Sequence, residues 1–167
     1  MIVTAIKTEN VTPRSTTLVA LLDRSLNKFP DGCILVITSK VVALCEGRFL
    51  SHDATLKEEA IIAEADYYLP KEHSRYGIPL TITDNAFIAR AGIDASNTNG
   101  HYSLLPLDSY ATARKIRQYL VKRFTVKQAG VIVVDSHSTP LRRGTLGVAI
   151  GWNGFHALKN YENLPDI

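Results

Sequence analysis

The chain has little of what marks secreted or membrane-bound proteins. Cysteine occurs twice in 167 residues, as Cys33 and Cys45, and the two are not spaced as a CxxC motif. We therefore expect reduced thiols rather than a disulfide. The N-terminus lacks a basic-then-apolar leader, and no apolar stretch reaches the roughly 18 residues that a membrane span needs. These absences predict a cytoplasmic protein without a membrane partner.

Several catalytic and cofactor motifs are also missing. The sequence contains no GxSxG nucleophile elbow, no HExxH zinc motif and no Walker A loop. Gly144, Gly147, Gly151 and Gly154 do not form the GxGxxG dinucleotide fingerprint, so we expect them to permit tight packing or turns. The sequence therefore argues against a serine hydrolase, a zincin and a dinucleotide-binding fold of that type.

What is present fits a globular protein that binds small anions. A content of 46% hydrophobic and 21% charged residues suits one compact domain or two small lobes. The formal net charge of +3 comes from scattered lysines and arginines, with one local cluster at 114–123. Nucleic-acid binding is therefore only weakly supported, and we expect small-molecule partners and no nucleic acid.

Hydrophobic periodicity predicts helices and strands in an irregular order. Apolar or alternating runs predict strands at 2–7, 33–44 and 129–135, and a hairpin over 78–94 that turns at Asp84 and Asn85. Helical spacing predicts helices over 15–29, with Ser15 or Thr16 as the N-cap, and over 56–69 and 109–124. Because the two kinds of element do not alternate strictly, we expect an α+β (mixed α/β) architecture of mixed sheets with flanking helices.

Two aspartates follow predicted strands. Asp94 comes after "FIARAGI" and Asp135 comes after "GVIVV". Carboxylates at strand ends can lean toward a shared cleft, where they would hold a divalent cation and, through it, phosphate oxygens. The hydroxyl of Ser136 would be a further ligand. The alternative is that each aspartate only stabilises a turn.

Basic residues raise a similar choice. Lys40, with Ser39 beside it, interrupts the apolar run at 33–44 and must either extend its ammonium group to the surface or pair with an anion such as phosphate. Arg142 and Arg143 would either clamp a carboxylate or phosphate, or lie in a solvated basic loop. The residues by themselves leave both alternatives open.

Five segments taken together resemble one known family, although none would identify it alone. In this order and at this separation they are similar to the CofE-like family, the coenzyme F-420 gamma-glutamyl ligases. The resemblance covers the whole chain and is most specific at "AGID-x-SN" and "D-S-x(3)-P-x-R-x-G". The five segments are "ITSKVVALCEGR", "AGIDASN", "LLPLDSYATARKIR", "GVIVVDSHSTPLRRGTLGVAIG" and "ALKNYENLPD".

The resemblance implies a fold, an activity and a set of site residues. It implies a single CofE-like domain over 1–167 and a GTP-dependent ligase that adds L-glutamate, through a gamma-linked amide bond, to a deazaflavin precursor of coenzyme F-420. Mg²⁺ or Mn²⁺ is the implied cofactor, GTP the implied co-substrate and a homodimer the implied assembly. The implied metal ligands are Asp94, Asp135 and Ser136, the implied nucleotide contacts are Ser39, Lys40 and Asn97, and Arg142 is a candidate substrate contact.

The chain also departs from the family pattern. Many family members carry a second lysine four positions after the first, where this chain has Leu44, and the usual "FGRPWR" reads "HSTPLR" here. Family members continue past "PD", so we expect this sequence to lack their C-terminal segment. Two hypotheses stay open: a ligase for glutamate or a related amino acid, and a catalytically silent nucleotide- or metal-binding homologue.

Overall fold

Helices and strands alternate irregularly along the chain. The computed structural model describes residues 1–52, 57–84, 86–95, 98, 100–137, 139, 141 and 143–162. The helices in these ranges are α1 (Leu18–Ser25), α2 (Ser39–Glu46), α3 (Lys57–Glu64) and α4 (Ser109–Phe124). The strands are β1 (Cys33–Thr38), β2 (Phe49–Ser51), β3 (Tyr67–Leu69), β4 (Leu80–Thr83), β5 (Ala86–Ala89), β6 (His101–Ser103), β7 (Ala129–His137) and β8 (Leu146–Asn153). This content confirms the predicted α+β class.

The main sheet joins β1, β7 and β8 in that order. β1 and β7 run parallel as far as Thr38, which lies opposite Val134, and β8 returns antiparallel to β7. One face of this sheet packs against α1 and α4, where apolar side chains leave water and stabilise the fold. The core of this layer includes Leu22, Leu26, Leu35, Ile116, Leu120, Val131 and Val133.

Two smaller sheets complete the described structure. β2 pairs antiparallel with β6, and β3, β4 and β5 form an antiparallel meander. The predicted hairpin is confirmed, because β4 ends just before Asp84 and β5 begins at Ala86; Asn85 lies outside the described residues. A second core cluster lies under α3 and consists of Ala60, Ile61, Ala91, Ile93 and Leu104.

The helix predicted at 109–124 is confirmed as α4. Asp108 caps it by accepting a hydrogen bond from the Ala111 N–H at 2.7 Å. Gly151 of β8 lies against the start of this helix, since a Cβ at that position would lie 2.5 Å from the Ser109 carbonyl carbon. The absence of a side chain thus allows α4 and β8 to touch, as expected of a glycine that permits tight packing.

The single strand predicted at 33–44 is wrong, because its second half is helical. β1 ends at Thr38, whose hydroxyl caps α2 by accepting from the Lys40 N–H at 3.2 Å. Gly47, with φ of 77°, ends the helix in the left-handed conformation that favours glycine. The apolar run is continuous because both the strand and the helix bury residues, so periodicity does not separate them.

Three other boundaries differ from the prediction. The helix predicted over 56–69 ends at Glu64, and Tyr67–Leu69 forms β3 because it finds β4 as a pairing partner. Helix α1 begins at Leu18 and is capped by Thr17 rather than by Ser15 or Thr16. The strand predicted at 2–7 does not form, and Ile2 is 95% exposed.

Both cysteines are free thiols, as predicted. Across the described ranges, no helix combines the length and the apolar character that crossing a bilayer requires.

Candidate functional site

The start of α2 lies at the end of the parallel strand pair. β1 leads into α2 without an intervening loop, so Ser39 and Lys40 are the first two residues of the helix. Ligand sites in parallel sheets form at the carboxyl ends of the strands. The change from strand to helix, which the sequence did not reveal, therefore brings both predicted nucleotide contacts to that edge.

Ser39 binds the first of the two predicted acids. Its hydroxyl donates a hydrogen bond to Oδ1 of Asp135 at 2.6 Å, although the two residues are 96 positions apart. Asp135 follows Val134, the last residue of β7 that pairs with β1, and β7 continues to His137 rather than ending at the acid. Ser39 is only 3% exposed, so this contact is sheltered from water. Hydrogen bonds to a carboxylate are among the stronger ones in proteins.

Lys40 binds the second acid. Its ammonium group forms an ion pair with Oδ2 of Asp94, whose side chain is 44% exposed while that of Lys40 is 29% exposed. The backbone of Asp94 is held by Ser103: the Asp94 N–H donates to the Ser103 carbonyl at 3.1 Å, and the Ser103 N–H donates back at 2.8 Å. These two backbone hydrogen bonds fix the main chain of Asp94, and its carboxylate faces Lys40.

The turn before Asp94 requires unusual backbone conformations. Arg90, Ala91 and Gly92 have φ values of 58°, 52° and 72°, in the left-handed region. A Cβ on Gly92 would lie 2.7 Å from the Leu105 side chain, so this position needs glycine for space as well as for conformation. Left-handed non-glycine residues cluster at functional sites. The left-handed turn at 90–92 therefore sets the backbone position from which the Asp94 side chain extends.

Consecutive residues of α2 each contact one of the two acids. Neighbouring Cα atoms are about 3.8 Å apart, and Ser39 holds Asp135 while Lys40 holds Asp94. The carboxylates of Asp94 and Asp135 offer hard oxygen atoms, the ligands that Mg²⁺ and Mn²⁺ prefer. In this structure the positive charge next to Asp94 is the ammonium group of Lys40. The described residues contain no cluster of three or more His, Cys, Asp or Glu side chains suited to a metal. Two carboxylates nevertheless suffice for Mg²⁺ when phosphate and water supply the other ligands.

The structure says less about the other three predicted site residues. Ser136 follows Asp135 in β7 and is exposed, and adjacent side chains of a strand point to opposite faces. Its role as a metal ligand stays a prediction. Asn97 and Arg142 lie outside the described residues, so the structure neither adds them to this site nor removes them.

Two cations near Asp94 were missed by the sequence analysis. The pKa of Lys57 is lowered, first by burial and next by the positive charge of Arg90, while the Asp94 carboxylate acts in the opposite direction. Lys57 is therefore close enough to Arg90 and to Asp94 to be influenced by both charges. Arg90 directly precedes "AGID", but a lone arginine there gives no signal in sequence. Lys57 opens α3 and comes near Asp94 only through the tertiary fold.

Arg48 is a further residue that the sequence analysis did not single out. It follows α2 and pairs with Glu64 of α3 at 2.5 Å, and its Nε donates to the Leu105 carbonyl at 3.2 Å. Its own carbonyl accepts from the Leu104 N–H at 3.1 Å. Arg48 thereby ties the end of α2 to α3 and to the segment that follows β6.

Comparison with known proteins gives one consistent result. Residues 5–167 match the family model described as F420-0:Gamma-glutamyl ligase. Proteins named coenzyme F420:L-glutamate ligase are 31% identical over 161 residues in Archaeoglobus fulgidus and 31% identical over 152 residues in Methanocaldococcus jannaschii. The protein of that name from Methanopyrus kandleri is 33% identical over 158 residues. These matches cover 84%, 82% and 82% of this chain and 62%, 61% and 60% of the respective relatives. The chain thus spans less than two thirds of the length of these relatives.

Proposed function

The chain belongs to the F420-0:gamma-glutamyl ligase family, and from that premise we propose that it acts as a ligase joining L-glutamate to a coenzyme F420 precursor through a gamma-linked amide bond. The names of its relatives support the reaction class. The observation that carries the proposal is that consecutive residues of α2 contact the two acids, Ser39 contacting Asp135 and Lys40 contacting Asp94. A turn-stabilising role alone would not require either acid to contact α2.

The chemistry requires an activated carboxylate. In the proposed reaction GTP transfers its γ-phosphoryl group to a carboxylate of the acceptor, GDP leaves, and the amine of L-glutamate then displaces phosphate and loses a proton. Proteins promote phosphoryl transfer mainly by positioning the groups and neutralising charge. Asp94 and Asp135 would hold Mg²⁺ or Mn²⁺, which when bound neutralises charge on the phosphates.

The basic residues around Asp94 support an anionic substrate. Lys40 contacts the carboxylate directly, and Lys57 lies within electrostatic reach of both this carboxylate and Arg90. The ammonium group of Lys40 and a divalent cation would compete for the carboxylate of Asp94. When a cation occupies Asp94, Lys40 is therefore expected to turn toward a phosphate oxygen, where its charge remains compensated. Ser39 would keep Asp135 oriented during this exchange.

The finer assignments belong to the same proposal and rest on motif resemblance. Asn97 would contact the nucleotide, Ser136 would add a metal ligand, and Arg142 would bind a substrate carboxylate or phosphate. We also propose GTP as the nucleotide, a homodimer as the assembly and the cytoplasm as the location.

A catalytically silent homologue is the second candidate. Leu44, which replaces a lysine common in the family, is 2% exposed and packs against Val11 and Leu21. That position therefore offers no charge to a phosphate. A silent homologue would bind nucleotide in the presence of metal without releasing GDP.

A single assay separates the two candidates. The protein is incubated with GTP, Mn²⁺ or Mg²⁺, L-glutamate and the deazaflavin acceptor, and both GDP release and the mass of the acceptor are measured. The ligase proposal expects GDP together with an acceptor heavier by one glutamyl residue. ATP in place of GTP tests the nucleotide preference.

Conservative variants localise the activity. Asp94→Asn and Asp135→Asn keep side-chain size but remove the charge that a cation needs, so both are expected to abolish GDP release and metal-dependent nucleotide binding. Glu59→Gln, at an exposed position of α3, serves as the matched control and is expected to behave as the parent protein. Full nucleotide binding in both aspartate variants contradicts the proposed metal site.

A further inference from the structure

A cleft lies beyond the C-terminal end of α2, next to the β3–β4–β5 meander. Its volume is about 670 Å³, and its walls include the acids Glu64, Asp66 and Asp84 together with Arg48. Arg48 is already engaged by Glu64 at 2.5 Å and by the Leu105 carbonyl. Because Arg48 is paired with Glu64, the remaining charge of the cleft lining is negative and comes from Asp66 and Asp84.

One hydrogen bond links the side chain of Asp66 to the backbone of Asp84. The Asp84 N–H donates to Oδ2 of Asp66 at 2.8 Å, across the pairing of β3 with β4. Asp84 itself adopts a left-handed conformation, with φ of 52°, at the hairpin turn. Both carboxylates line the same cleft, so each would attract an organic cation bound there.

Thr83 gives an independent indication of a ligand. This residue lines the cleft and is 8% exposed, and its hydroxyl is a buried side-chain group for which the described residues supply no hydrogen-bond partner. Thr81, two positions earlier on the same face of β4, is fully satisfied: it donates to the Ile88 carbonyl and accepts from the Ala91 N–H at 2.7 Å. Buried hydroxyl groups are normally paired, so Thr83 fits a site that a ligand completes.

An adjoining cavity adds an apolar wall. It has a volume of about 250 Å³, shares Thr83, Asp84 and Leu105 with the larger cleft, and extends to Tyr110 and Ile150. Burial raises the pKa of the Tyr110 phenol, and the negative charge of Asp84 raises it further. The charge of Asp84 is therefore felt inside this cavity. The two spaces together offer an anionic end and an apolar end.

We propose that this double cleft binds a small organic ammonium ion with a short hydrocarbon body. The ammonium group lies between Asp66 and Asp84 and donates a hydrogen bond to the Thr83 hydroxyl, while the hydrocarbon enters the adjoining cavity. An ammonium ion with a hydrocarbon body fits better than a metal ion, because the adjoining wall of Leu105, Tyr110 and Ile150 can take an apolar group. This ligand is additional to the substrates proposed above.

The site is separate from the Asp94 and Asp135 pair. Lys40 stands at the first turn of α2 and Arg48 lies two positions past its last residue, Glu46, and a helix of this length spans about 12 Å. Loss of one site therefore does not require loss of the other, and the two proposals can be tested separately.

The test uses n-butylammonium chloride as the probe and amide chemical shifts as the readout. We expect saturable shifts at the amides of Thr83 and Asp84 when the probe is added at neutral pH. n-Butanol, which lacks the charge, and Mg²⁺, which lacks the hydrocarbon, are expected to leave these amides unchanged. Equal shifts with butanol, or shifts with Mg²⁺ alone, would overturn the proposal.

Variants define the contacts. Asp84→Asn removes the charge and retains a residue that tolerates the left-handed backbone, so it is expected to weaken binding about tenfold or more. Thr83→Val is expected to weaken binding as well, and Thr83→Ser to preserve it. Glu72→Gln, on an exposed turn away from the cleft, is the matched control. The spectra themselves report whether each variant is folded.

Two further outcomes decide against the proposal. Unchanged affinity in Asp84→Asn would show that the carboxylate does not hold the probe. Loss of probe binding in a folded Asp94→Asn variant would place the probe at the other site. Intact probe binding in Asp94→Asn, together with loss of nucleotide binding there, is the result we expect.

Discussion

Replacing Lys40 with methionine is expected to change two affinities in opposite directions. The substitution keeps an unbranched side chain but removes the ammonium group that pairs with Asp94. Because the two side chains are 29% and 44% exposed, solvent screens their attraction. Such pairs contribute about 1 kcal/mol or less. The free energy of unfolding should therefore change little.

The effects on ligands follow from the same contact. A divalent cation no longer has to displace the ammonium group from Asp94, so affinity for Mn²⁺ without nucleotide should rise by up to about fivefold, which corresponds to about 1 kcal/mol. The nucleotide loses a charge-assisted hydrogen bond from Lys40. Losing such a bond typically costs about 1.5–3 kcal/mol, or roughly tenfold to a hundredfold in affinity.

The assay is titration calorimetry with Mn²⁺ alone and then with GTP at saturating Mn²⁺. Lys71→Met is the matched control, because it breaks an exposed ion pair with Glu58, of 3.0 Å, outside the site. The control should leave both affinities unchanged. A Lys40→Met variant that binds Mn²⁺ more weakly, or binds GTP as tightly as before, would refute the idea that Lys40 exchanges between Asp94 and a phosphate.

Three other substitutions or modifications test the structure. Gly92→Ala should lower the free energy of unfolding by about 2 kcal/mol or more, measured by chemical denaturation, because a left-handed alanine would also press on Leu105; an unchanged midpoint would contradict this packing. Ser39→Ala should cost about 1.5–3 kcal/mol of stability and weaken Mn²⁺ binding, since a buried hydrogen bond to a carboxylate is lost; wild-type values for both would remove its positioning role. Burial, reinforced by neighbouring negative charges, raises the pKa of Cys45 from 9.0 to about 11. In a Cys33→Ala background, alkylation of Cys45 at pH 8 should therefore be about a hundredfold slower than in the denatured chain. The rate should increase as the pH rises toward 11. Equal rates in the folded and denatured chains would exclude a sheltered thiol.

Sequence patterns identified the elements that have one clear periodicity. The α4 helix shows apolar residues at helical spacing, and its buried face contains Ala113, Ile116 and Leu120 as expected. The hairpin of β4 and β5 was also predictable, because an Asp-Asn pair between alternating runs is a turn signal. In both cases local chemistry and tertiary packing favour the same structure.

Patterns were insufficient where a segment is buried on more than one side. The run from Cys33 to Leu44 is apolar whether it forms a strand or a helix, and the change occurs at Thr38, whose capping hydroxyl is visible only once the helix is known. Likewise Tyr67–Leu69 forms a strand because β4 is available beside it. Such pairing depends on residues distant in sequence, which periodicity does not contain.

The candidate site was likewise predictable from the sequence only in part. The sequence by itself determined which residue types were available for cation and phosphate chemistry, because Asp94, Asp135 and Lys40 are recognisable from their chemistry and their motifs. Only the tertiary structure decided that Ser39 and Lys40 open a helix at the edge of the parallel pair and that each holds one of the acids. The physical reason is that a carboxylate's role depends on which charges and donors lie within a few ångströms of it, and those neighbours come from segments more than 50 residues away.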